Sequence, residues 1–323
     1  MTLRLIVPGA SGFIGRNLMC ATPAEWEVVA LYHTSQDFPT WVEHKGLRHV
    51  TAVRCDLADG AAVRDLARQA GPRFDMCVFL AANGDPAYSV EHPLQDLQAT
   101  AVTLLHFLSH FEIERFVYFS SGAVYDGLHG LVSPAVAVSP RLPYSISHWA
   151  CEHYARAFAH QGRVGQYVSL RFFGAYGPYE PPRKVYTKLV RRFAIERVPQ
   201  FTVRGDGCNT IDAMYVEDAV RGILSVLESD KGDLTVDFCS GTPLTINELV
   251  RTAARTFGLA DPDVEHTGQV PEYINFYASG ETMARLFGFR PQIPLEDGLR
   301  RFAEFLAGNE QWDNEAMNKG DNG

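Results

Sequence analysis

The sequence predicts an α/β protein built on a doubly wound parallel sheet, with a smaller, discontinuous α/β region beside it. Over the first 170 residues, short apolar runs rich in branched residues alternate with segments of helical period, and the runs end in polar residues. This alternation is typical of parallel βαβ units whose strands are covered on both faces. Right-handed crossovers then bring the carboxyl ends of the strands to one ligand-binding crevice.

The elements follow the chain in order. Strands are predicted over 3–7, 28–31, 49–54, 76–80 and 116–119, and helices over 16–20, 61–70 and 94–111. Residues 174–183 are rich in Gly, Pro and aromatics, which predicts an irregular loop. A basic helix is predicted over 185–195, and a strand followed by a helix over 214–227. Thr245 and Glu248 form a capping-box pattern that opens an apolar helix through residue 257.

Composition and charge exclude several classes of protein. The 323 residues carry a net charge of −9, which disfavours general binding to a nucleic-acid backbone. Apolar runs stay short of the roughly 20 residues that a membrane-spanning helix needs. The N-terminus enters the first strand directly, with no leader-like segment, and the six cysteines form no C-x-x-C pair. We therefore expect reduced thiols in a cytoplasmic protein.

Three glycines mark a phosphate-binding turn between the first strand and the first helix. The turn contains Gly9, Gly12 and Gly15. Glycines at this spacing let backbone N–H groups approach a pyrophosphate at a helix N-terminus, as in Rossmann dinucleotide-binding domains. We therefore predict an NAD(P) site and place the dinucleotide-binding Rossmann domain at residues 1–170 plus 208–236. The substrate-binding region is predicted at 171–207 plus 237–307, and 308–323 as a mobile tail.

The end of the second strand bears on the choice of dinucleotide. The carboxylate that holds the NAD ribose is expected about 20 residues after the glycines, but that segment reads Tyr32-His33-Thr34-Ser35. The missing carboxylate, with Arg16 and His33 near, tolerates a 2′-phosphate and favours NADP(H). Asp56, after the third strand, either bonds the adenine amino group or caps the next helix. The predicted cofactor-binding residues are Gly9, Ser11, Gly12, Phe13, Ile14, Gly15, Arg16, His33, Asp56, Leu57, Ala81 and Ala82.

Further motifs accompany the glycine spacing and run in one order over residues 3–306. They occupy 80–82, 119–125, 143–148, 171–178 and 205–218. As a set they resemble the extended short-chain dehydrogenases/reductases, in the NAD-dependent epimerase/dehydratase group that modifies sugar nucleotides. The resemblance implies a Rossmann fold, hydride transfer with a nicotinamide cofactor, and a homodimer that pairs helices 94–111 and 144–159 across its subunits.

The resemblance also implies three catalytic positions. Ser121 matches the residue that polarises the substrate oxygen, and Tyr144 matches the tyrosine acid/base. The lysine expected one helical turn later, which holds the nicotinamide ribose and lowers the tyrosine pKa, is replaced by His148. Three interpretations stay open: His148 substitutes over a narrower pH range, catalysis is slow or redesigned, or the site is vestigial.

Substitutions elsewhere narrow the reaction and leave the substrate open. Gly122 and Ala123 replace the acidic pair of the 4,6-dehydratases, so that dehydration is disfavoured. Keto reduction, alcohol oxidation, or epimerisation by oxidation and re-reduction stays possible. Gly174 and Ile211 replace an Asn and an Arg that contact the substrate diphosphate in the family. The predicted substrate-binding residues are Arg171, Gly174, Arg183 and Lys184.

Three functions therefore stay open. The first is a reductase or epimerase acting on a nucleotide sugar. The second is a reductase or dehydrogenase of a non-nucleotide carbonyl or alcohol, and the third is a non-catalytic dinucleotide-binding protein. No metal site is predicted, because His106 and His110 are spaced as a ligand pair without an evident third ligand.

Overall fold

A computed structural model describes residues 2–270 and 274–308 of the chain. The strands of these residues are β1 (Arg4–Pro8), β2 (Glu27–Tyr32), β3 (Val50–Arg54), β4 (Arg73–Phe79), β5 (Glu112–Ser121), β6 (His129–Val132), β7 (Val164–Phe172), β8 (Ala175–Tyr176), β9 (Gln200–Arg204), β10 (Thr210–Ile211), β11 (Met214–Tyr215), β12 (Leu234–Phe238), β13 (Leu244–Thr245), β14 (Asp263–Thr267) and β15 (Asn275–Ala278). The helices are α1 (Phe13–Ala21), α2 (Phe38–His44), α3 (Gly60–Ala70), α4 (Pro86–Glu91), α5 (Pro93–Leu97), α6 (Thr103–His110), α7 (Pro143–His160), α8 (Val185–Val190), α9 (Val216–Leu227), α10 (Ile246–Thr256), α11 (Glu281–Phe287) and α12 (Leu295–Gly308).

Seven parallel strands form the central sheet, in the order β12-β7-β5-β4-β1-β2-β3. The inner strands are buried on both faces, and two apolar clusters cover the two sides of the sheet. This confirms the predicted doubly wound α/β fold. The direction of winding reverses between β1 and β4, so the crevice for a ligand lies at the carboxyl ends of these strands.

The segment predicted as a helix over 94–111 is helical without a gap from Pro93 to His110, but its middle turn has π-helical and not α-helical period. A π-helical turn, Gln98–Val102, separates α5 from α6. The Thr103 hydroxyl donates to the carbonyl oxygens of Ala99 and Thr100, at 2.9 and 3.0 Å. A side chain that bonds the preceding turn competes with the regular helical ladder, which fits a local change of helical period.

The second region is built from short strand pairs and its own apolar core. The pairs are β6 with β15, β8 with β11, β9 with β14, and β10 with β13. The core packs α8, α10 and α12 together. The capping box at α10 is confirmed: Thr245 Oγ1 accepts from the Glu248 amide at 3.1 Å, and the Glu248 carboxylate accepts from the Thr245 amide at 2.8 Å.

The division into two regions stays a prediction. Its boundary at residue 236 falls inside β12, which pairs with β7 in the central sheet. Helix α12 ends at residue 308, and the rest of the tail predicted at 308–323 lies outside the described residues.

A buried ion pair joins α7 to the central sheet. The Glu152 carboxylate on α7 accepts two hydrogen bonds from the Arg171 guanidinium on β7, at 2.9 and 2.8 Å. The same carboxylate accepts from the Ser120 hydroxyl on β5 at 2.7 Å. All three residues are buried, so losing one charge would leave the other without compensation.

Glu152→Gln is therefore expected to lower the free energy of unfolding by about 3–5 kcal/mol, because it strands the buried Arg171 charge. The matched control is Glu217→Gln, which removes the exposed pair between Glu217 and Arg301. We expect this control to cost less than about 1 kcal/mol. Urea denaturation of the full chain measures both, and equal effects of the two variants would contradict the assignment.

Candidate active site

A cavity of about 500 Å³ lies over the glycine turn. The predicted residues that line it are Gly9, Ser11, Gly12, His33, Asp56, Leu57, Ala81 and Ala82. Helix α1 begins directly after Gly12, so its first amide groups lie beside this cavity. Of the other predicted cofactor residues, Phe13 lines the neighbouring cavity, and Ile14 packs against the apolar core.

The glycines of the turn are required by close backbone approaches. A side-chain carbon on Gly9 would lie 2.8 Å from the backbone nitrogen of Ala81, and φ of Gly9 is +84°. A side-chain carbon on Gly15 would lie 2.4 Å from the carbonyl oxygen of Ala10. The turn thus lies tightly against the segment that follows β4, and α1 lies tightly against the turn, as a dinucleotide site requires.

The structure places Arg16 away from the cavity over the glycine turn. Its guanidinium is buried, bonds the carboxylate of Asp37 at 2.5 Å, and lies 5.4 Å from the ring centre of Phe38. Arg16 is not among the residues that line the cavity. Arg16 holds α2 against α1, so one of the two side chains on which the predicted NADP(H) preference rests is engaged elsewhere.

The lining of this cavity contains a half-exposed His–Asp pair. His33 Nε2 lies 3.8 Å from an Asp56 carboxylate oxygen. The other Asp56 oxygen accepts from the amide of Ala58 at 2.9 Å. Helix α3 is capped by Asp59, whose carboxylate accepts from Ala61 and Ala62, so helix capping by Asp56 is not what the structure shows.

A second cavity, of about 390 Å³, adjoins the first. Gly12 lines the first cavity, and the next residue, Phe13, lines the second. Ser121 at the end of β5 and Tyr144 in the first turn of α7 both line it. Burial raises the pKa of the Tyr144 phenol, and the polar Ser121 side chain near it opposes this rise. The structure therefore brings together two of the three predicted catalytic side chains.

His148 lies behind Tyr144 on the same face of α7. The two ring centres are 4.5 Å apart, and only 3% of His148 is exposed. Its Nδ1 bonds the Tyr118 hydroxyl at 2.8 Å, and its Nε2 has no hydrogen-bond partner among the described residues. Burial lowers the pKa of His148 to about 4, so the imidazole is neutral at pH 7 and does not supply the positive charge of a lysine.

The predicted substrate-binding residues separate into two groups. Gly174 and Lys184 line the second cavity, together with Ile211. Arg183 is half-exposed and pairs with Asp85 at 3.4 Å, outside the lining of that cavity. Arg171 is held by Glu152 within the fold and does not line it either.

Two buried carboxyl groups of the second cavity were missed from the sequence. Glu180 accepts from the amide and hydroxyl of Thr187, at 2.9 and 2.7 Å, and Asp212 accepts from the amide of Ser240 at 2.7 Å. Burial raises the pKa of Glu180 to about 8 and also raises that of Asp212. The only available signal for Glu180 was its position in the Gly- and Pro-rich loop.

The residues present fit a dinucleotide. The glycine turn provides the close backbone approach, and the buried, unpartnered Nε2 of His148 is available for a polar group that the protein itself does not supply. Among the described residues, no group of three or more His, Cys, Asp and Glu side chains is arranged to hold a metal ion. Within residues 2–270 and 274–308, every helix is too short or too polar for a membrane crossing.

Glu180→Gln tests the neutral carboxyl in the second cavity. Because the folded pKa is about 8 and the ordinary value 4.5, the stability that Glu180 contributes is present below pH 4.5 and is lost as the pH rises to 8. From pH 5 to 7.5 the wild type should lose on the order of 3 kcal/mol relative to the variant. Urea denaturation at both pH values measures this, and the exposed Glu196→Gln is the control, expected to change stability by less than about 1 kcal/mol. Parallel pH profiles for wild type and Glu180→Gln would show that Glu180 is ionised.

Comparisons with known proteins agree with this geometry. Residues 5–237 match the model of the NAD dependent epimerase/dehydratase family. A low-salt glycan biosynthesis protein of Haloferax volcanii is 27% identical, covering 95% of this chain and 99% of its own. A dTDP-glucose 4,6-dehydratase of Streptomyces niveus is 26% identical, covering 96% and 94%.

A solved structure is similar over nearly the whole chain. The UDP-glucuronic acid 4-epimerase of Bacillus cereus, in complex with UDP-glucuronic acid and NAD, superposes with a TM-score of 0.83 at 21% identity, covering 95% of this chain and 99% of its own. At this sequence identity, the similarity between the two proteins concerns the fold alone. Together with the family match over more than half of the sequence, it supports one conclusion: the chain belongs to the NAD dependent epimerase/dehydratase family.

Proposed function

We propose that the protein is an NAD(P)-dependent oxidoreductase or epimerase acting on a nucleotide-activated sugar. The observation that carries the proposal is the convergence of Ser121 and Tyr144 on a cavity that adjoins the glycine-turn cavity. The curated relative that dehydrates a dTDP-sugar and the solved 4-epimerase support the substrate class. Hydride transfer coupled to one proton transfer is the chemistry that these groups can serve.

Four residues of the chain would bind the cofactor or act on the substrate, and a fifth, Gly12, belongs to the same turn as Gly9. The turn at Gly9 and Gly12 would hold the pyrophosphate of the dinucleotide, and His148 Nε2 its nicotinamide ribose. When bound, the nicotinamide supplies a hydride donor or acceptor. The Ser121 hydroxyl would polarise the reacting oxygen of the substrate, and the Tyr144 hydroxyl would give or take its proton.

We propose 4-keto reduction, oxidation or epimerisation, and not 4,6-dehydration. Gly122 and Ala123 line the cavity beside Ser121, and neither side chain can move a proton. The cofactor is NAD(P). With Arg16 bound to Asp37, the preference for NADP(H) depends on His33 and on the absence of a carboxylate at the end of β2.

A second candidate is a reductase or dehydrogenase of a non-nucleotide carbonyl or alcohol. Among the described residues that line the second cavity, Lys184 is the only cation, and burial lowers its pKa. The buried carboxyls of Glu180 and Asp212 line the same cavity. A diphosphate gains little attraction there, which favours a less charged substrate.

We also propose a homodimer in the cytoplasm. Large apolar side chains stay exposed on the helices that the resemblance pairs across subunits: Leu94 and Leu97 on α5, and Ile146 and Tyr154 on α7. Burying such side chains against a second copy would remove them from water. The six cysteines are free thiols, which supports a reducing compartment.

Tyr144→Phe tests the proposed function. Removing the hydroxyl should lower turnover at least 100-fold, in line with the loss of a general acid/base, while the Kd for NAD(P) stays within about threefold. The matched control is Tyr154→Phe, an exposed tyrosine on the same helix, which should retain activity. Turnover is measured over a panel of nucleotide sugars and simple carbonyls, and cofactor affinity by calorimetry.

The same panel separates the candidates. Thermal stabilisation by UDP or dTDP would support a nucleotide sugar, and activity on simple carbonyls without such stabilisation would support the second candidate. Cofactor binding with no hydride transfer on any substrate of the panel would contradict the enzymatic proposal. That outcome would favour a dinucleotide-binding protein.

A further inference from the structure

Tyr118 and His148 form a buried polar pair behind the catalytic tyrosine. Tyr118 lies on β5 and is 1% exposed, and its hydroxyl lies 2.8 Å from Nδ1 of His148. Tyr118 and Ser120 project from the same face of β5, because side chains two residues apart in a strand share a face. Both meet α7: Tyr118 at His148, and Ser120 at Glu152 one turn later.

The surroundings decide which atom carries the proton of this hydrogen bond. The other titratable groups near the Tyr118 hydroxyl are Cys151, Glu152 and Tyr144. Glu152 is already engaged by Arg171 and Ser120. The other acceptors among these groups are the Cys151 sulfur and the Tyr144 phenol oxygen, and both are weaker acceptors than a non-protonated imidazole nitrogen. The favourable arrangement has Tyr118 donating its proton to Nδ1.

A neutral imidazole that accepts at Nδ1 carries its proton on Nε2. Nε2 is the atom that is buried without a partner among the described residues. A buried N–H without a partner costs free energy, and this free energy is recovered when a ligand oxygen accepts a hydrogen bond from it. A ribose hydroxyl has such an oxygen.

We propose that Tyr118 is a positioning residue, which holds His148 as the Nε2–H tautomer so that this N–H can donate to the cofactor ribose. The inference rests on the proposed function for the identity of the acceptor. It assigns His148 the role of a fixed hydrogen-bond donor, in place of the charged donor that a lysine provides. Tyr118 acts only through His148 and does not touch the reacting atoms.

The test is nitrogen NMR of the full-length protein with labelled histidines, at pH 7.5 and without cofactor. The His148 signals are assigned as those that disappear in the His148→Gln variant. We expect a wild-type Nδ1 signal typical of a non-protonated nitrogen and a protonated Nε2. Tyr118→Phe should give a mixture of tautomers and raise the Kd for NAD(P) by about tenfold, the equivalent of one hydrogen bond. Tyr125→Phe, which removes another buried hydroxyl at 2.7 Å from Asp237, should leave the His148 signals unchanged.

Several outcomes overturn the inference. Finding the Nδ1–H tautomer in the wild type would overturn it. An unchanged His148 spectrum in Tyr118→Phe would also overturn it. If NAD(P) binds and turnover occurs but the Nε2 signal does not move on cofactor addition, the inference fails and the proposed function stands. If the signal moves but no substrate is turned over, the proposed function fails and the inference stands.

Discussion

Buried polar contacts hold α7 against the central sheet, once per helical turn, and the candidate site depends on them. Tyr144, His148 and Glu152 are spaced four residues apart and therefore share one face of the helix. Tyr144 meets Ser121, His148 meets Tyr118, and Glu152 meets Ser120 and Arg171. Because the partners lie on β5 and β7, the position of Tyr144, the proposed acid/base, is fixed by the sheet itself.

The electrostatic consequence is that no cation among the described residues is a cause of the shift in the Tyr144 pKa. A lysine one turn after the tyrosine would stabilise the phenolate, whereas the buried imidazole of His148 is neutral at pH 7. Burial also keeps the proton on Tyr144. Without a cofactor, Tyr144 therefore carries its proton at pH 7, the state needed to donate to a carbonyl oxygen, whereas removing a proton from an alcohol needs the phenolate.

Much of the fold and part of the candidate site could be predicted from the sequence, because short-range sequence patterns determine them. The glycine spacing located the turn, the capping box located α10, and the i, i+4 spacing placed Tyr144 and His148 on one face. The positions of Arg16 and Arg171 could not be predicted, since each is decided by a carboxylate distant in the sequence, Asp37 and Glu152. The state of His148 needed the burial of its ring, which no spacing reveals.

His148 is proposed to work as a neutral hydrogen-bond donor and not as a substitute cation. The most direct measurement is an NMR pH titration of the His148 ring signals in the folded, full-length protein. We expect no protonation of this ring above about pH 5, since burial lowers its pKa to about 4. A midpoint at or above 6.5, the ordinary value for histidine, would contradict it.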